Sequence, residues 1–179
     1  ESNVVRFGRG RILTIAGRHS EAIRELRASV ATTNAAAQAA HYDLATLLAD
    51  KGDFTEARRH VELCLKCNPK SGEGYRARAM VEAMADNSEA SLEAINMAVE
   101  LDPDESQNWD LRAKLRAGWR KGYEGAYADF AEAIKRSRNI QQRAGRYWQL
   151  AMMDYGRERY DLALPNISEA VRLDGASMF

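Results

Sequence analysis

The sequence is poor in proline and cysteine and has no excess of either charge. Three prolines and two cysteines occur among its 179 residues, and no apolar run approaches the ~18 residues needed to span a bilayer. Basic and acidic residues number 26 each, so no global electrostatic field indicates a class of partner. The N-terminus lacks the apolar segment of a signal peptide. We therefore expect no membrane insertion, and local patterns must indicate the function.

One such pattern is a small residue that recurs every 34 to 37 residues. A large apolar residue follows it by four positions, a small residue by seven and an aliphatic residue by eight. Offsets of four, seven and eight lie on one face of a helix, so the pattern predicts a repeated amphipathic helix, here called helix B. The small residues of helix B are Ala22, Ala57, Ser91, Ala126 and Ala163.

A second small residue recurs in the segment before each helix B, here called helix A. A large side chain stands four residues before it in the second to fifth copies, whereas the first copy has Arg6. A small residue at this register lets two helices approach closely. The small residues of helix A are Gly10, Ala45, Ala79, Ala113 and Ala151, and the large ones are His41, Tyr75, Trp109 and Tyr147.

Two segments carry a family resemblance. Residues 52–57 read GDFTEA and residues 98–103 read AVELDP, with Pro69 and Pro103 closing their copies. Together with the period, these segments resemble the tetratricopeptide repeat consensus. The resemblance implies an all-α, right-handed superhelix of tandem helical hairpins, with approximate repeats 3–36, 38–71, 72–105, 106–140 and 144–177 in one array covering 1–179. Because the sequence begins with Glu1, we expect it to be a fragment of a longer protein.

The resemblance also implies a concave groove, lined by helix A, that binds peptides or helices of partner proteins. The groove positions lie three residues before and one after the small residue of helix A. Aromatic and methionine side chains there would contact apolar groups, and Arg11, Arg76 and Lys114 would bind carboxylates. The alternative is that the aromatics pack between neighbouring helices A. The predicted groove residues are Phe7, Arg11, Tyr42, Thr46, Arg76, Met80, Asp110, Lys114, Trp148 and Met152.

The carboxylate clamp with which some members of this family bind the acidic tails of heat-shock chaperones is absent from this sequence. Phe7 and Arg11 stand where the clamp has lysine and asparagine, and Tyr42 replaces the next asparagine. Only Arg76 keeps the charge that the clamp requires. We therefore disfavour chaperone tails and expect an extended peptide or a helix with alternating apolar and acidic groups.

The two cysteines, Cys64 and Cys67, form a C-x-x-C pair with His60 one turn earlier. A structural zinc site needs about four ligands, and the sequence has no second cysteine pair. A redox dithiol is favoured at a helix N-terminus, whereas this pair falls in the last turn of a predicted helix B. We expect both cysteines to be small core residues, with no metal site and no cofactor.

Charge is distributed in blocks. Residues 79–111 contain nine acidic side chains and no lysine or arginine, whereas residues 112–146 contain ten basic ones. Trp119, Tyr123 and Tyr127 lie within the basic block, and a basic, aromatic stretch is one that nucleic acid can bind. The favoured interpretation is that successive copies carry opposite charge, which fixes their order, so nucleic acid is the disfavoured partner.

No catalytic motif accompanies the repeats. The three histidines, His19, His41 and His60, fall at repeat positions, and the glycine-rich residues 6–11 lack a phosphate-binding pattern. We predict a non-enzymatic module that binds a protein or peptide partner as a scaffold or as an assembly or secretion adaptor. Two alternatives stay open. In the first, the chain is the regulatory or substrate-recruiting domain of a larger enzyme or of a polysaccharide-export machine. In the second, it is a scaffold that self-assembles through its end repeats.

Overall fold

The computed structural model describes residues 2–30, 35–118 and 122–176, and these form ten α-helices without a strand. Consecutive helices pack in pairs, the first with the second and so on, into five hairpins. The prediction of an all-α chain of tandem hairpins is therefore confirmed. The helices are α1 (Asn3–Ile15), α2 (His19–Ser29), α3 (Ala35–Asp50), α4 (Phe54–Cys67), α5 (Gly72–Met84), α6 (Ser88–Leu101), α7 (Ser106–Gly118), α8 (Tyr123–Lys135), α9 (Ile140–Tyr155) and α10 (Tyr160–Ala176).

The chain divides into two compact units, and the first is Glu1–Leu101 with helices α1 to α6. Its core is built on the small residues of both registers, because Ala22, Ala45 and Ala57 are fully buried where helices cross. Leu26 and Leu44 fill the space between them. Within this unit the helices A also contact one another in sequence, α1 with α3 and α3 with α5.

The second unit is Asp102–Phe179 with helices α7 to α10. Its buried residues again include the small ones, with Phe130 fully buried beside Ala126 and Ala133 on α8. Asp129 is also buried, and its carboxylate accepts hydrogen bonds from Arg112 and Arg116. A buried carboxylate needs such partners, so this cluster ties α7 to α8 by charge as well as by packing.

The turn from helix A to helix B has the same backbone conformation in four hairpins. The residue five positions before the small residue of helix B has a positive φ: 72° at Gly17, 80° at Gly52, 59° at Asp86 and 58° at Glu158. A left-handed residue ends an α-helix, so this position sets where helix A stops and helix B folds back. The corresponding residue of the fourth hairpin, Lys121, lies outside the described residues.

Side chains at the helix ends are consistent with this division. Ser2, Asp53, Ser71 and Asn139 each accept a hydrogen bond from a backbone N–H in the first turn of α1, α4, α5 and α9. Pro69 and Pro103 follow the ends of α4 and α6, as predicted, where no helical hydrogen bond is lost.

Candidate functional site

Six of the predicted groove residues belong to the first unit, and together we call them the helix A surface. They come from three helices that contact one another in order: Phe7 and Arg11 from α1, Tyr42 and Thr46 from α3, and Arg76 and Met80 from α5.

Contacts connect these side chains from α1 to α5. The Arg11 guanidinium lies 5.8 Å from the centre of the Phe7 ring, and its Nε lies 3.6 Å from the Asp43 carboxylate. Tyr42, the residue before Asp43, donates a hydrogen bond to the sulfur of Met80 at 3.8 Å. The Arg76 guanidinium lies 5.5 Å from the Tyr42 ring centre. The surface thus consists of two clusters of aromatic, thioether and guanidinium groups, which the Arg11–Asp43 pair connects.

Exposure differs along the helix A surface. Arg11 is exposed, with 63% of its side chain accessible, whereas Phe7, Tyr42 and Met80 are half-buried and Arg76 is buried. Phe7 and Tyr42 also pack against the core of the unit. The predicted alternative, that the aromatics pack between helices, therefore describes part of each ring, and the rest is accessible. The hydroxyl of Thr46 donates to the backbone oxygens of Tyr42 and Asp43 on its own helix.

Asp43 is a residue of this surface that the sequence pattern did not single out. Burial raises the pKa of its carboxyl to about 6, against the lowering effect of Arg11 and with a further raising effect from Glu73. Its Oδ2 is buried and accepts no hydrogen bond, although Arg11 is close. In the sequence, only the negative charge of Asp43 gave a signal. Asp43 lies two residues before the small residue of α3, and Arg11 on α1 carries the opposite charge.

The basic residues of the predicted groove all have acidic neighbours within their own unit. Arg11 pairs with Asp43, Arg76 lies 4.0 Å from Glu73, and Lys114 pairs with Asp110 at 2.7 Å. Any other carboxylate brought to Arg11 would compete with Asp43, and this competition would weaken below a pH of about 6, where Asp43 takes up a proton.

In the second unit the predicted groove residues are Asp110, Lys114, Trp148 and Met152. Gln149 joins Asp110 and Lys114 on α7 to α9. With its amide in the orientation that satisfies both groups, its nitrogen donates to Asp110 and its oxygen accepts from Lys114, each at 3.0 Å. Arg146 adds a contact of 3.6 Å to Asp110. Trp148 and Met152 are exposed on α9. The charged pair is thus held in a network, whereas the apolar pair is accessible.

The cysteine prediction is half wrong. Cys64 is buried as expected, but Cys67 is exposed because it is the last residue of α4, where the helix leaves the core. Burial raises the pKa of the Cys64 thiol to about 12, which keeps it protonated and unreactive. Among the described residues, no group of three or more His, Cys, Asp or Glu side chains is placed to bind a metal ion.

Two histidines form a buried pair that the sequence pattern did not predict. The Nδ1 atoms of His41 on α3 and His60 on α4 are 2.9 Å apart, so one ring donates and the other accepts. Burial lowers the pKa of both imidazoles, that of His60 to about 4 with help from His41 and nearby arginines. The pair is a neutral hydrogen bond inside the first unit.

The basic block of residues 112–146 is largely paired within the second unit. Arg112 and Arg116 bind Asp129, Arg136 binds Glu132 and Arg138 approaches Glu105 at 3.5 Å. The guanidinium groups of Arg112 and Arg136 also lie over the ring of Trp109 at 4.8 and 4.9 Å from its centre. Trp119, part of the predicted aromatic set, lies outside the described residues. These pairs leave less charge for a phosphate backbone than the sequence indicates.

Among the described residues, no helix combines the length and apolar character that crossing a bilayer requires. This agrees with the absence of long apolar runs in the sequence.

Neither a family model nor a curated protein matches the sequence. Solved structures do match the fold. Among solved structures, the thermophilic TPR protein TTC0263 of Thermus thermophilus is 17% identical, with a TM-score of 0.75 over 99% of this chain and 100% of that one. MamA is 16% identical, with a TM-score of 0.69 over 94% of this chain and 96% of that one.

YrrB, described as a TPR protein with an unusual peptide-binding site, is 15% identical, with a TM-score of 0.61 over 97% of this chain and 87% of that one. Identities this low establish the fold alone. The agreement covers nearly the whole chain, and this chain has the paired helices that its sequence period predicts. The chain therefore has the tetratricopeptide-repeat fold.

Proposed function

We propose that this chain is a non-enzymatic interaction module that binds a peptide or helix of a partner protein along the helix A surface of its first unit. The observation that carries the proposal is the pair of contact clusters on adjacent helices A, Phe7 with Arg11 on α1 and Tyr42 with Arg76 and Met80 on α3 and α5, which the Arg11–Asp43 pair connects. Its support from outside the molecule is that one protein of the same fold is described as having a peptide-binding site.

The chemistry of the helix A surface favours a partner segment with an apolar side chain beside an acidic one. Phe7 and Tyr42 are half-buried, rigid aromatic rings, and the half-buried Met80 adapts its shape to what it contacts. Arg11 is the exposed cation next to them, and a partner carboxylate there replaces Asp43. Because that exchange trades one ion pair for another, the apolar contact contributes most of the affinity.

Three reactive groups of the first unit are engaged inside it. The Cys64 thiol is buried with a raised pKa, and the Nδ1 atoms of His41 and His60 are hydrogen-bonded to each other.

We assign Asp110, Lys114, Trp148 and Met152 of the second unit to a separate, secondary contact region.

The proposal is tested with peptides selected on the chain from a random displayed library. The affinity of the enriched peptides is then measured for the chain and for two variants of the helix A surface, Tyr42→Ala and Arg11→Glu. We expect about a tenfold weaker affinity for each, since truncating an aromatic or reversing a contact charge at the binding surface removes about 1.4 kcal/mol.

The matched control is Arg59→Glu, which makes the same charge reversal at an exposed position of α4, a helix B. Helicity and thermal midpoint are recorded for every variant, so that a folding defect of Tyr42→Ala is separated from loss of binding. Arg11 is exposed, and its variant is therefore the one that decides. Enriched peptides that bind Arg11→Glu and Arg59→Glu alike, with unchanged affinity, would refute the proposal.

A further inference from the structure

One contact between successive helices A recurs at the same register within each unit. Arg11 lies one residue after the small residue of α1, and its contact, Asp43, lies two residues before the small residue of α3. In the second unit, Lys114 and Gln149 occupy the same two positions of α7 and α9, where the amide oxygen accepts from the amine at 3.0 Å. In both units, the residue two positions before the small residue thus contacts the cation of the preceding helix A.

The two contacts differ in the charge of the second residue. Gln149 is neutral, and the carboxylate that pairs with Lys114 comes from its own helix, at Asp110. Asp43, by contrast, brings a carboxylate from the next helix to Arg11, with 3.6 Å between Oδ2 and Nε. This distance is too long for a hydrogen bond, so the pair is held by charge without a hydrogen bond that fixes its geometry.

The surroundings of Asp43 favour its neutral form. Its Oδ2 is buried without a hydrogen bond, and burial raises the pKa of the carboxyl to about 6. Arg11 of α1 lowers this pKa and Glu73 of α5, which lies 4.0 Å from Arg76, raises it further. Among the described residues, no charged group of α2 or α4 acts on Asp43. On α3 itself, His41 is hydrogen-bonded to the other buried histidine.

A carboxylate from outside the molecule competes with Asp43 for Arg11. The Arg11 side chain is 63% accessible and that of Asp43 is 22% accessible, so the guanidinium is open to an incoming group while it contacts Asp43. While Asp43 is charged, the incoming carboxylate is repelled by Asp43 as well as attracted by Arg11. Once Asp43 is neutral, the attraction to Arg11 remains without that repulsion.

We propose that Asp43 determines the charge specificity of the helix A surface: it competes for Arg11 at neutral pH and, once protonated, yields Arg11 to an acidic side chain of the partner segment. This inference rests on the proposed binding at the helix A surface and names the residue that regulates it. An acidic segment is then bound more tightly as the pH falls from 7.5 to 5.5. A partner glutamate, with an ordinary pKa of about 4.3, stays charged over this range.

The probes are peptides enriched on the chain from a displayed library at pH 5.5, each synthesised with its acidic residue and with the corresponding amide. Affinities are measured at pH 7.5 and pH 5.5 for the chain and for Asp43→Asn, which keeps the size of the side chain and removes its charge. We expect the chain to bind the acidic form about two- to fivefold more tightly at pH 5.5, the range for a partly exposed ion pair.

Asp43→Asn is expected to bind the acidic form with the higher affinity at both pH values, since its side chain never competes as a charge. For the amide form, we expect neither the pH nor Asp43→Asn to change the affinity. The matched control is Glu62→Gln, which removes a negative charge at an exposed position of α4, a helix B, and is expected to behave as the unchanged chain does. Circular dichroism verifies the helicity of each variant.

A measurement without a partner tests the contact between Asp43 and Arg11 by itself. NMR titration of the Asp43 carboxyl is expected to give a pKa of about 6 in the chain. In Arg11→Gln the pKa is expected to be higher, because the lowering effect of the guanidinium is lost.

The outcomes separate this inference from the proposed function. Peptides that bind Arg11→Glu as tightly as the chain refute binding at the helix A surface, and the role of Asp43 falls with it. Peptides that need Arg11 but bind the chain and Asp43→Asn alike at both pH values overturn this inference alone. An enriched set without acidic residues would also overturn it, and so would an Asp43 titration that Arg11→Gln leaves unchanged.

Discussion

The buried histidine pair gives the first unit a dependence on acid. His41 and His60 share one hydrogen bond as neutral rings, and burial lowers the pKa of both below the ordinary value of 6.5. The folded state therefore binds fewer protons than the unfolded state between about pH 6.5 and pH 4, and stability is lost as the pH falls through that window. Glu56 lies 3.9 Å from His60 Nε2 and would stabilise a protonated His60, but only in part because it is itself paired with Arg27.

We predict that the free energy of unfolding falls between pH 7.5 and pH 5 by about 1–2 kcal/mol more in the unchanged chain than in the double variant His41→Gln, His60→Gln. Urea unfolding followed by circular dichroism measures both. The raised pKa of Asp43 acts in the opposite direction, but it is present in both chains and cancels in the comparison. Equal losses in the two chains would contradict the assignment of this acid dependence to the histidines.

At the scale of the helices, every described turn between helix A and helix B contains one residue in the left-handed conformation. Its left-handed residue is glycine in the first two hairpins, but Asp86 and Glu158 adopt the same conformation at φ 59° and 58°. A residue with a Cβ is strained there, by roughly 1–2 kcal/mol for most side chains. The third and fifth hairpins therefore carry a local cost that the first two avoid.

We predict that Gly52→Ala lowers the free energy of unfolding by about 1 kcal/mol and that Glu158→Gly raises it by a smaller amount, since the glycine also loses more chain entropy on folding. The control is Gly145→Ala, at a helical position of α9 where a Cβ would meet nothing within 4 Å. That change should stabilise by about 0.5–1 kcal/mol. Urea midpoints of the three variants decide, and a stabilising Gly52→Ala would be the contrary result.

The helices and their pairing could be predicted from the sequence because two small-residue registers repeat along it. A pattern that recurs in five copies indicates a helix more reliably than a single copy does. The exposure of Cys67 could not, since it depends on where α4 ends relative to the core. The partners of the groove arginines could not be predicted either. The Arg11 and Asp43 pair joins two helices 32 positions apart, and the sequence pattern within each helix does not indicate which side chains meet.

At the scale of the whole molecule, one repeated hairpin provides two kinds of surface. Helix A positions three residues before and one after the small residue form the helix A surface of the first unit, with Tyr42 on its middle helix and Arg11 on its first. Positions that meet the preceding or following hairpin are buried inside a unit but exposed at Ile12 and Leu164. We infer that the first surface binds a partner segment.

The most direct test of the central claim is to map a library-selected peptide onto the isotope-labelled chain by NMR. We predict that the largest amide shift changes on titration fall at residues 7, 11, 42, 46, 76 and 80, on α1, α3 and α5. Changes confined to the helices B, α2, α4 and α6, or to the last hairpin, with the helix A surface unaffected, would contradict the account.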